Sequence, residues 1–510
     1  MMPSRRSSRW QLRHAPAWLW AGMLAGCAVG PDYHGPPAPE YSKPARFKNA
    51  GEMGHWKIAE PADNKSRNQW WKIFGDSQLD SCITQALAGN QDLRVAAARI
   101  AEARGMDRLA ASDFYPHIDF EGSAERMRTS NTDPVQKASL VGPNPLGGSN
   151  SGGSAGGGNI TLATQPLTST YNLFRAPADL NWELDLFGRV RRTREAARSE
   201  AQSVEADYQN MLLSVSANVA VNYFMLRSLD SELEVLGKTI DARKEELRIS
   251  EERLQAGITS ELDVERAKNN LATNQTDLYA LSRTREEVVN ALATLIGQPA
   301  SLLRMPNHPL APDAAPPAVP EGLPGDLLER RPDVASAERQ LAAANARIGV
   351  AKAAFFPVVR LTGAAGFESA DLGMLFSWES RIWQIGPSIT FPIFEGGRNK
   401  ANLDIANARY DEAVGHYRGQ VLVAFQDAEN ALADLRTLAQ QAAAQKEAAD
   451  AASRTLQLSQ KQYARGSVTF LDVLDAERAL LASQRASAQV DGQRLQATVQ
   501  LIKALGGGWR

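Results

Sequence analysis

The 510 residues hold two cysteines, six histidines and almost no net charge: 56 Lys and Arg stand against 58 Asp and Glu, a formal charge of −2. That balance argues against a nucleic-acid binder, which carries a basic face. After residue 30 no run approaches the roughly 20 apolar residues that a membrane-spanning helix needs. Such a chain crosses a membrane only as a β-barrel, whose strands leave a weaker trace in sequence. His14, His34, His55, His117, His308 and His416 are not spaced as metal pairs. HExxH, GxSxG and a supportable Cys/His pairing are missing, so no catalytic, metal or cofactor site is expected. His117 and Asp119 share one strand face, which is too little for catalysis. Carboxylates are abundant but fall mostly in helical patterns, where a solvated charge is the default reading.

The two cysteines differ. Cys82 lies in LDSCITQALAG, a helical pattern in which it reads as a small buried apolar side chain. Cys27 follows Arg5, Arg6, Arg9 and Arg13 and the short apolar stretch Ala15 to Ala25. Residues 1–26 therefore read as a secretory signal peptide. Leu24-Ala25-Gly26-Cys27 resembles the lipobox of bacterial lipoproteins: small residues fit a peptidase, and the thiol carries the diacylglycerol. Residue 28 is Ala rather than Asp, which in that class implies the outer membrane. Acyl chains on Cys27 would anchor residues 27–76 stably, each buried CH₂ contributing roughly 0.8 kcal/mol.

An internal repeat sets the architecture. RLQAGITSELDV at 253–264 matches QYARGSVTFLDV at 462–473, with Gly257 over Gly466 and Asp263 over Asp472, an offset of 209. Arg189 with Arg398 and Gly297 with Gly506 keep that offset. Upstream, 92–116 matches 333–357 at an offset of 241, Pro116 falling on Pro357. The 32 extra residues of the first copy fall between Pro116 and Arg189, which includes the Gly-rich stretch GPNPLGGSNSGGSAGGGN. No Gly-Lys-Ser/Thr follows it, so it reads as an exposed loop rather than a phosphate cradle.

Copy one spans 77–300, with a helix, a β-hairpin at 114–187 and a long helix pair at 189–296. A Pro-rich linker fills 301–325. Copy two spans 326–506, with its hairpin at 355–394 and its helix pair at 398–504, before a tail at 507–510. The extended segments alternate with period two. In 180–186, Leu180, Trp182, Leu184 and Leu186 point one way; in 359–367, Val359, Leu361, Gly363, Ala365 and Phe367 do. Aromatics cluster around these segments, as at a lipid-facing band with interfacial girdles. Two hairpins give four strands, whose open edges a bilayer does not tolerate. Copies of the chain must close the barrel, with twelve strands from three subunits or eight from two. The helix from Arg189 to Leu254, interrupted only by Gly237, would be on the order of 100 Å long, too long for a globular core. It is coiled-coil-like, with 261–296 or 470–504 as the return helix. Ala-rich faces such as 441–452 allow close approach.

These features resemble the outer-membrane efflux proteins, the TolC-like ducts, in their lipoprotein branch. The resemblance rests on CAVGPDY (27–33), WWKIFGDSQLD (70–80), ERRPDVASAE (329–338), AAFFPVVRLTGAAG (353–366), PIFEGGR (392–398), YARGSVTFLDVLDAE (463–477) and KALGGGW (503–509). It implies an α+β membrane protein: a homotrimer with a twelve-stranded β-barrel, four strands per subunit, above a helical barrel crossing the periplasm. An equatorial belt would come from the N-terminal segment, the 295–330 linker and the C-terminus. It also implies a passive exit channel working with a periplasmic adaptor (membrane fusion) protein and an inner-membrane RND-type pump. The turns at Gly257-Ile258-Thr259 and Gly466-Ser467-Val468 would be the tips met by the adaptor. Leu471, Asp472 and Asp475 would form the periplasmic gate, and Tyr463 would be tied to Asp263. The arginine that the family often carries two residues after the tip glycine is Val468 here. A duct of the same fold for protein secretion, and a pore-less structural lipoprotein, are the alternative readings.

Overall fold

The computed structural model describes residues 28–35, 69–128, 170–311, 316–317 and 330–507. It divides into two compact units. Cys27, the Gly-rich stretch and residues 312–315 and 318–325 of the linker lie outside the described residues.

One unit comprises 109–192 and 349–399 together with the chain up to Val29, and it holds the sheet. Its strands are β1 (His117–Phe120), β2 (Ser123–Arg128), β3 (Thr170–Leu184), β4 (Val358–Ser369) and β5 (Arg381–Thr390). All pairings are antiparallel; β1 and β2 both pair with β3, followed by β4 and then β5. β1 and β2 occupy one strand position, because the register on β3 is the same on either side of Glu121 and Gly122. The ladder breaks opposite Pro177, which has no N–H to give, although Glu121 N–H still donates to the Pro177 carbonyl at 3.1 Å. Gly366 stands opposite Pro177 on β4, where a Cβ would lie 2.5 Å from the Pro177 Cα. The expected four strand positions are therefore present. One detail differs: Leu186 does not continue the alternation. β3 stops at Leu184, and Leu186 N–H turns back to the Leu184 carbonyl at 2.8 Å.

The register gives the sheet two unlike faces. Ile118, Leu180, Gly363 and Ile385 stand in one row across it, beside the row Phe120, Ala178, Ala365 and Trp383. On this face Trp383 is 80% exposed and Ile389 68%. The other face carries Asp119, Asp179, Asn181, Glu183, Thr362 and Ser388. Alternation at period two makes this separation.

The second unit comprises 30–108, 193–348 and 400–510 and holds most of the helices. They are α1 (Ser77–Gly89), α2 (Gln91–Ser112), α3 (Arg189–Gln255), α4 (Glu261–Ile296), α5 (Pro332–Ala353), α6 (Arg398–Ala464) and α7 (Phe470–Ala504). The repeat offsets hold residue for residue: α6 is α3 displaced by 209, and α5 is α2 displaced by 241. α3 and α6 have 67 residues each, about 100 Å at 1.5 Å per residue. Gly237 does not interrupt α3. A lone glycine costs a helix about 1 kcal/mol, which 66 other residues override.

The main core gathers Trp70, Trp71, Leu79 and Ile83 against Leu213 to Leu229 of α3, with Leu292 and Ile296 of α4 and Val499 and Ile502 of α7. Cys82 is buried within it, as its helical pattern predicts, and burial pushes its thiol up to about 11. Asp76 caps α1, accepting from Gln78 N–H at 2.9 Å and Leu79 N–H at 3.1 Å. The same carboxylate accepts from the Tyr223 hydroxyl at 2.5 Å.

Not every helix charge is solvated. Asp230 on α3 is wholly buried and accepts from Arg227 at 2.6 Å and Arg285 at 2.7 Å. The guanidiniums also bond the Pro306 and Met305 carbonyls, and His308 N–H donates to Asp230 at 3.0 Å. A desolvated charge persists only with such partners. This cluster fastens the start of the linker to the first long hairpin.

The helical tips as candidate functional site

Both long hairpins turn the same way. α3 ends with Gly257 N–H bonding the Leu254 carbonyl and Ile258 N–H the Arg253 carbonyl, both at 2.9 Å. Gly466 and Ser467 repeat the arrangement on Tyr463 and Gln462 at 2.9 and 3.0 Å. This double bond pattern ends a helix through a left-handed residue, and φ is 72° at Gly257 and 74° at Gly466. Glycine takes that angle at least cost. Beyond each turn a hydroxyl caps the return helix. Ser260 accepts from Asp263 N–H at 3.3 Å; Thr469 and Asp472 form a reciprocal capping box.

Apart from Cys27, the sequence-derived site residues lie at or beside these two turns, and the aspartates at the matched position have local partners. The Asp472 carboxylate takes the Thr469 hydroxyl at 2.7 Å and the Thr469 N–H at 2.8 Å, which hold it below the usual carboxylate range. Asp263, at the matching position, takes Ser260 and Thr259 hydroxyls at 2.9 and 3.0 Å. Burial pushes its carboxyl up, and these bonds together with Arg266 outweigh that, so it too lies low. Asp475 faces Arg478 at 3.5 Å, and Arg478 also donates to Asn270 on α4 at 2.6 Å. In copy one the residue matching Asp475 is Arg266, which faces Asp263 at 3.6 Å. Leu471 is 43% exposed and Ile258 70%; Ser467 is exposed, Thr259 and Val468 half-buried.

Tyr463 and Asp263 line one depression but do not bond each other. Asp263 is committed to its own helix cap. The Tyr463 hydroxyl instead accepts from Arg253 at 3.2 Å, and its ring tilts against Phe470 at 5.7 Å. Arg253 is the partner that sequence reading missed. It lies four residues before Gly257, and no spacing rule would have paired it across 210 residues. Behind the tips a cavity of about 660 Å³ is lined by Ile249, Leu456, Phe470 and Leu480. At its wall Arg243 bonds Glu246 at 2.7 Å and also Glu477 of α7. Burial raises the Glu477 carboxyl, Arg243 opposes this and Glu246 adds to it; the net shift is upward. Among the described residues no cluster of His, Cys, Asp and Glu could hold a metal ion.

The ERRPDV motif also acquires a physical role. Arg331 bonds Asp333 at 2.6 Å, Asp427 at 3.0 Å and the Ala504 carbonyl at 3.2 Å. Asp333 receives Val334 N–H at 2.9 Å and Gln420 at 2.7 Å. The motif is a clasp joining α5, α6 and the end of α7.

A family profile described as "Outer membrane efflux protein" matches residues 82–298 and 323–507. The solvent efflux pump outer membrane protein SrpC of Pseudomonas putida is 35% identical over 489 residues, 96% of each chain. A probable outer membrane lipoprotein of Salmonella typhimurium, SilC, is 31% identical over 491 residues, covering 96% of this chain and 97% of its own. The crystal structure of the Campylobacter jejuni CmeC outer membrane channel superposes with a TM-score of 0.80 at 26% identity, covering 95% of both chains. The chain belongs to the outer membrane efflux protein family, whose members are ducts rather than enzymes, and it is an outer-membrane protein with the fold of these channels.

Proposed function

We propose that the chain is the exit duct of a tripartite efflux pump. As a passive homotrimer it carries small toxic molecules from an inner-membrane RND-type pump, through a periplasmic adaptor, to the exterior. The observation that carries this reading is the sheet. β3, β4 and β5, of 15, 12 and 10 residues, reach the length a tilted transmembrane strand needs, about 9–11, and β1 with β2 fills one strand position over 117–128. One face is apolar throughout its middle and the other polar, which is the pattern of a barrel wall between lipid and water. Both outer edges, β1 with β2 and β5, pair on one side only among the described residues. Hydrocarbon does not tolerate such edges, so copies of the chain must close the wall. Three copies of four strand positions make a twelve-stranded barrel with a water-filled lumen.

The long hairpins then extend into the periplasm. The tips at Gly257-Ile258-Thr259 and Gly466-Ser467-Val468 are the adaptor's docking points. Leu471, Asp472 and Asp475 from three subunits converge as the gate, and acyl chains on Cys27 hold the complex to the outer membrane. Energy comes from the pump. The test is conductance of purified trimers in planar bilayers. Wild type should conduct with cation preference and be blocked by multivalent cations. Asp472→Ala/Asp475→Ala should lose the block and the preference. Trimers that carry no current would sink the duct.

A further inference from the structure

We infer that the outward face of the barrel carries a binding site for the phosphorylated headgroup of the outer-leaflet glycolipid, formed by Arg126, Arg128 and Arg381. The inference rests on the duct reading above and deepens it by naming a lipid ligand. It starts from the register. Residues directly opposite one another in an antiparallel pair project to the same side. Following the apolar rows from strand to strand therefore assigns every strand residue to the lipid face or the lumen face.

On the lipid face the described strand residues include no carboxylate. Three charged side chains fall there, and all are arginines. Arg126 and Arg128 continue the row of Ala124 on β2, opposite Asn172 and Thr170. Arg381 opens β5, opposite Phe367 and two residues before Trp383. The lumen face is unlike it, with Asp119, Glu125, Asp179, Glu183 and Glu368 among its residues.

Their height on the sheet is equally selective. β2 ends at Arg128 and β5 begins at Arg381, so all three lie at the opposite end of the sheet from the strand ends that lead to helices. With the helices in the periplasm, the end bearing the arginines meets the outer leaflet. The helix-joined end of the same face holds only apolar residues such as Ile118, Leu184 and Ile389. An arginine at the mid-depth of a lipid-facing strand costs about 2–4 kcal/mol, and near the interface about 0–1 kcal/mol. All three stand at one end of the face, where the cost is smallest.

The surroundings suit a headgroup rather than water alone. The Arg381 guanidinium lies over the Trp378 ring, and its Nε donates to the Trp378 carbonyl at 2.5 Å. Phe376 packs edge-on against Phe367 at 5.5 Å. Trp378 and Phe376 are each 72% exposed in the chain. Aromatic rings at the membrane interface mark headgroup level. An arginine fixed on an aromatic face offers a planar fork of donors that matches phosphate two at a time. Closing the barrel with copies of the chain sets the edge strand bearing Arg381 beside the edge strand bearing Arg126 and Arg128 of the next copy. The arginines of neighbouring subunits thus border one seam, and a headgroup with two phosphates bridges it.

The test uses purified full-length trimers in detergent, titrated with bisphosphorylated lipid A, with lipid A stripped of phosphate, and with phosphatidylglycerol. The readouts are the melting midpoint of the trimer and lipid retention in native mass spectrometry. Bisphosphorylated lipid A should raise the midpoint and stay bound; the stripped form should do neither. Arg126→Gln/Arg128→Gln/Arg381→Gln should weaken binding at least tenfold, and the matching triple Lys variant should fall between. Should the triple Gln variant not form trimers, the phosphate dependence of wild type and of Arg381→Gln alone decides. An equal effect from phosphatidylglycerol or stripped lipid A overturns the site, as does undiminished binding by the Gln variants. Trimers that conduct but ignore lipid A overturn the site and leave the duct standing. A chain that neither trimerises nor conducts overturns both.

Discussion

The two copies build one joint from different chemistry. In copy one, Asn90 donates its amide N–H to the Leu295 carbonyl at 2.8 Å, and its side-chain oxygen takes Leu93 N–H at 3.1 Å. In copy two, 241 residues on, the position is Arg331; it reaches the carbonyl of Ala504, which lies 209 residues beyond Leu295. A neutral amide satisfies itself with local partners. A guanidinium whose side chain is only 8% exposed cannot, and it is held by Asp333 and Asp427. The position matching Asp427 in copy one is Asn218, uncharged like the Asn90 joint it accompanies. A second contrast runs the other way. Copy one clusters Arg227, Asp230 and Arg285 around the linker; copy two keeps Arg436 and Arg494 at the matching places but has Ala439 for the aspartate. The two copies share one scaffold and bury their charges at different places on it.

The strongest way to break that comparison is Asp230→Ala. It leaves Arg227 and Arg285 buried without their shared counter-ion, which costs about 3–5 kcal/mol. The same reasoning makes Arg436→Ala, at an exposed site, nearly silent, within about 0.5 kcal/mol. Thermal melting of purified trimers compares the two directly. Equal effects would mean that the copy-one cluster does not anchor the linker.

A sharper test exchanges the joints. Arg331→Asn puts the copy-one residue into copy two and strands Asp333 and Asp427. Asp427 is half open to water, so the loss should fall near the low end of the range for a broken buried pair, about 3 kcal/mol. Adding Asp427→Asn then rebuilds the set Asn90, Asp92 and Asn218 in copy two. The double variant should recover at least half of the loss. A double variant as unstable as the single one would show that the two joints are not interchangeable.

The boundaries of the return helices were legible in the sequence because the offset repeats: they begin at Glu261 and Phe470, 209 residues apart. The strand faces were legible because period-two alternation survives on both hairpins. Leu186 was misplaced because alternation alone does not say where a strand stops, and the turn after Leu184 reuses an apolar residue. The buried ions were not legible. Arg227, Asp230 and Arg243 lie on helices whose other charges face water, and only packing against distant segments distinguishes them. The Tyr463 partner was missed for the same reason: Arg253 and Asp263 flank the same tip, and the capping demand of Ser260 and Thr259 decides between them.

The smallest expected effect separates the tips themselves. Asp263 and Asp472 are both held below the ordinary carboxylate value, so each is ionised more readily in the folded chain than in the unfolded one. A depressed acid contributes stability at pH above its unfolded value, about 3.9, and loses it as pH falls through the folded value. Both caps should therefore persist unchanged from neutrality to about pH 4 and fray only below it. The partners differ. Asp472 relies on Thr469 alone, whereas Asp263 has Ser260, Thr259 and the Arg266 guanidinium. Hydrogen exchange of peptides covering each turn, followed from pH 6 down to 3, reads the two tips in one experiment. Asp472→Asn should abolish the pH dependence at the second tip and leave the first untouched. Arg266→Ala should move the first tip's loss of protection to higher pH, since the attraction favouring its carboxylate is gone. Tips that titrate well above the ordinary carboxylate range, or that do not respond to acid at all, would show that these carboxylates are not what closes the turns.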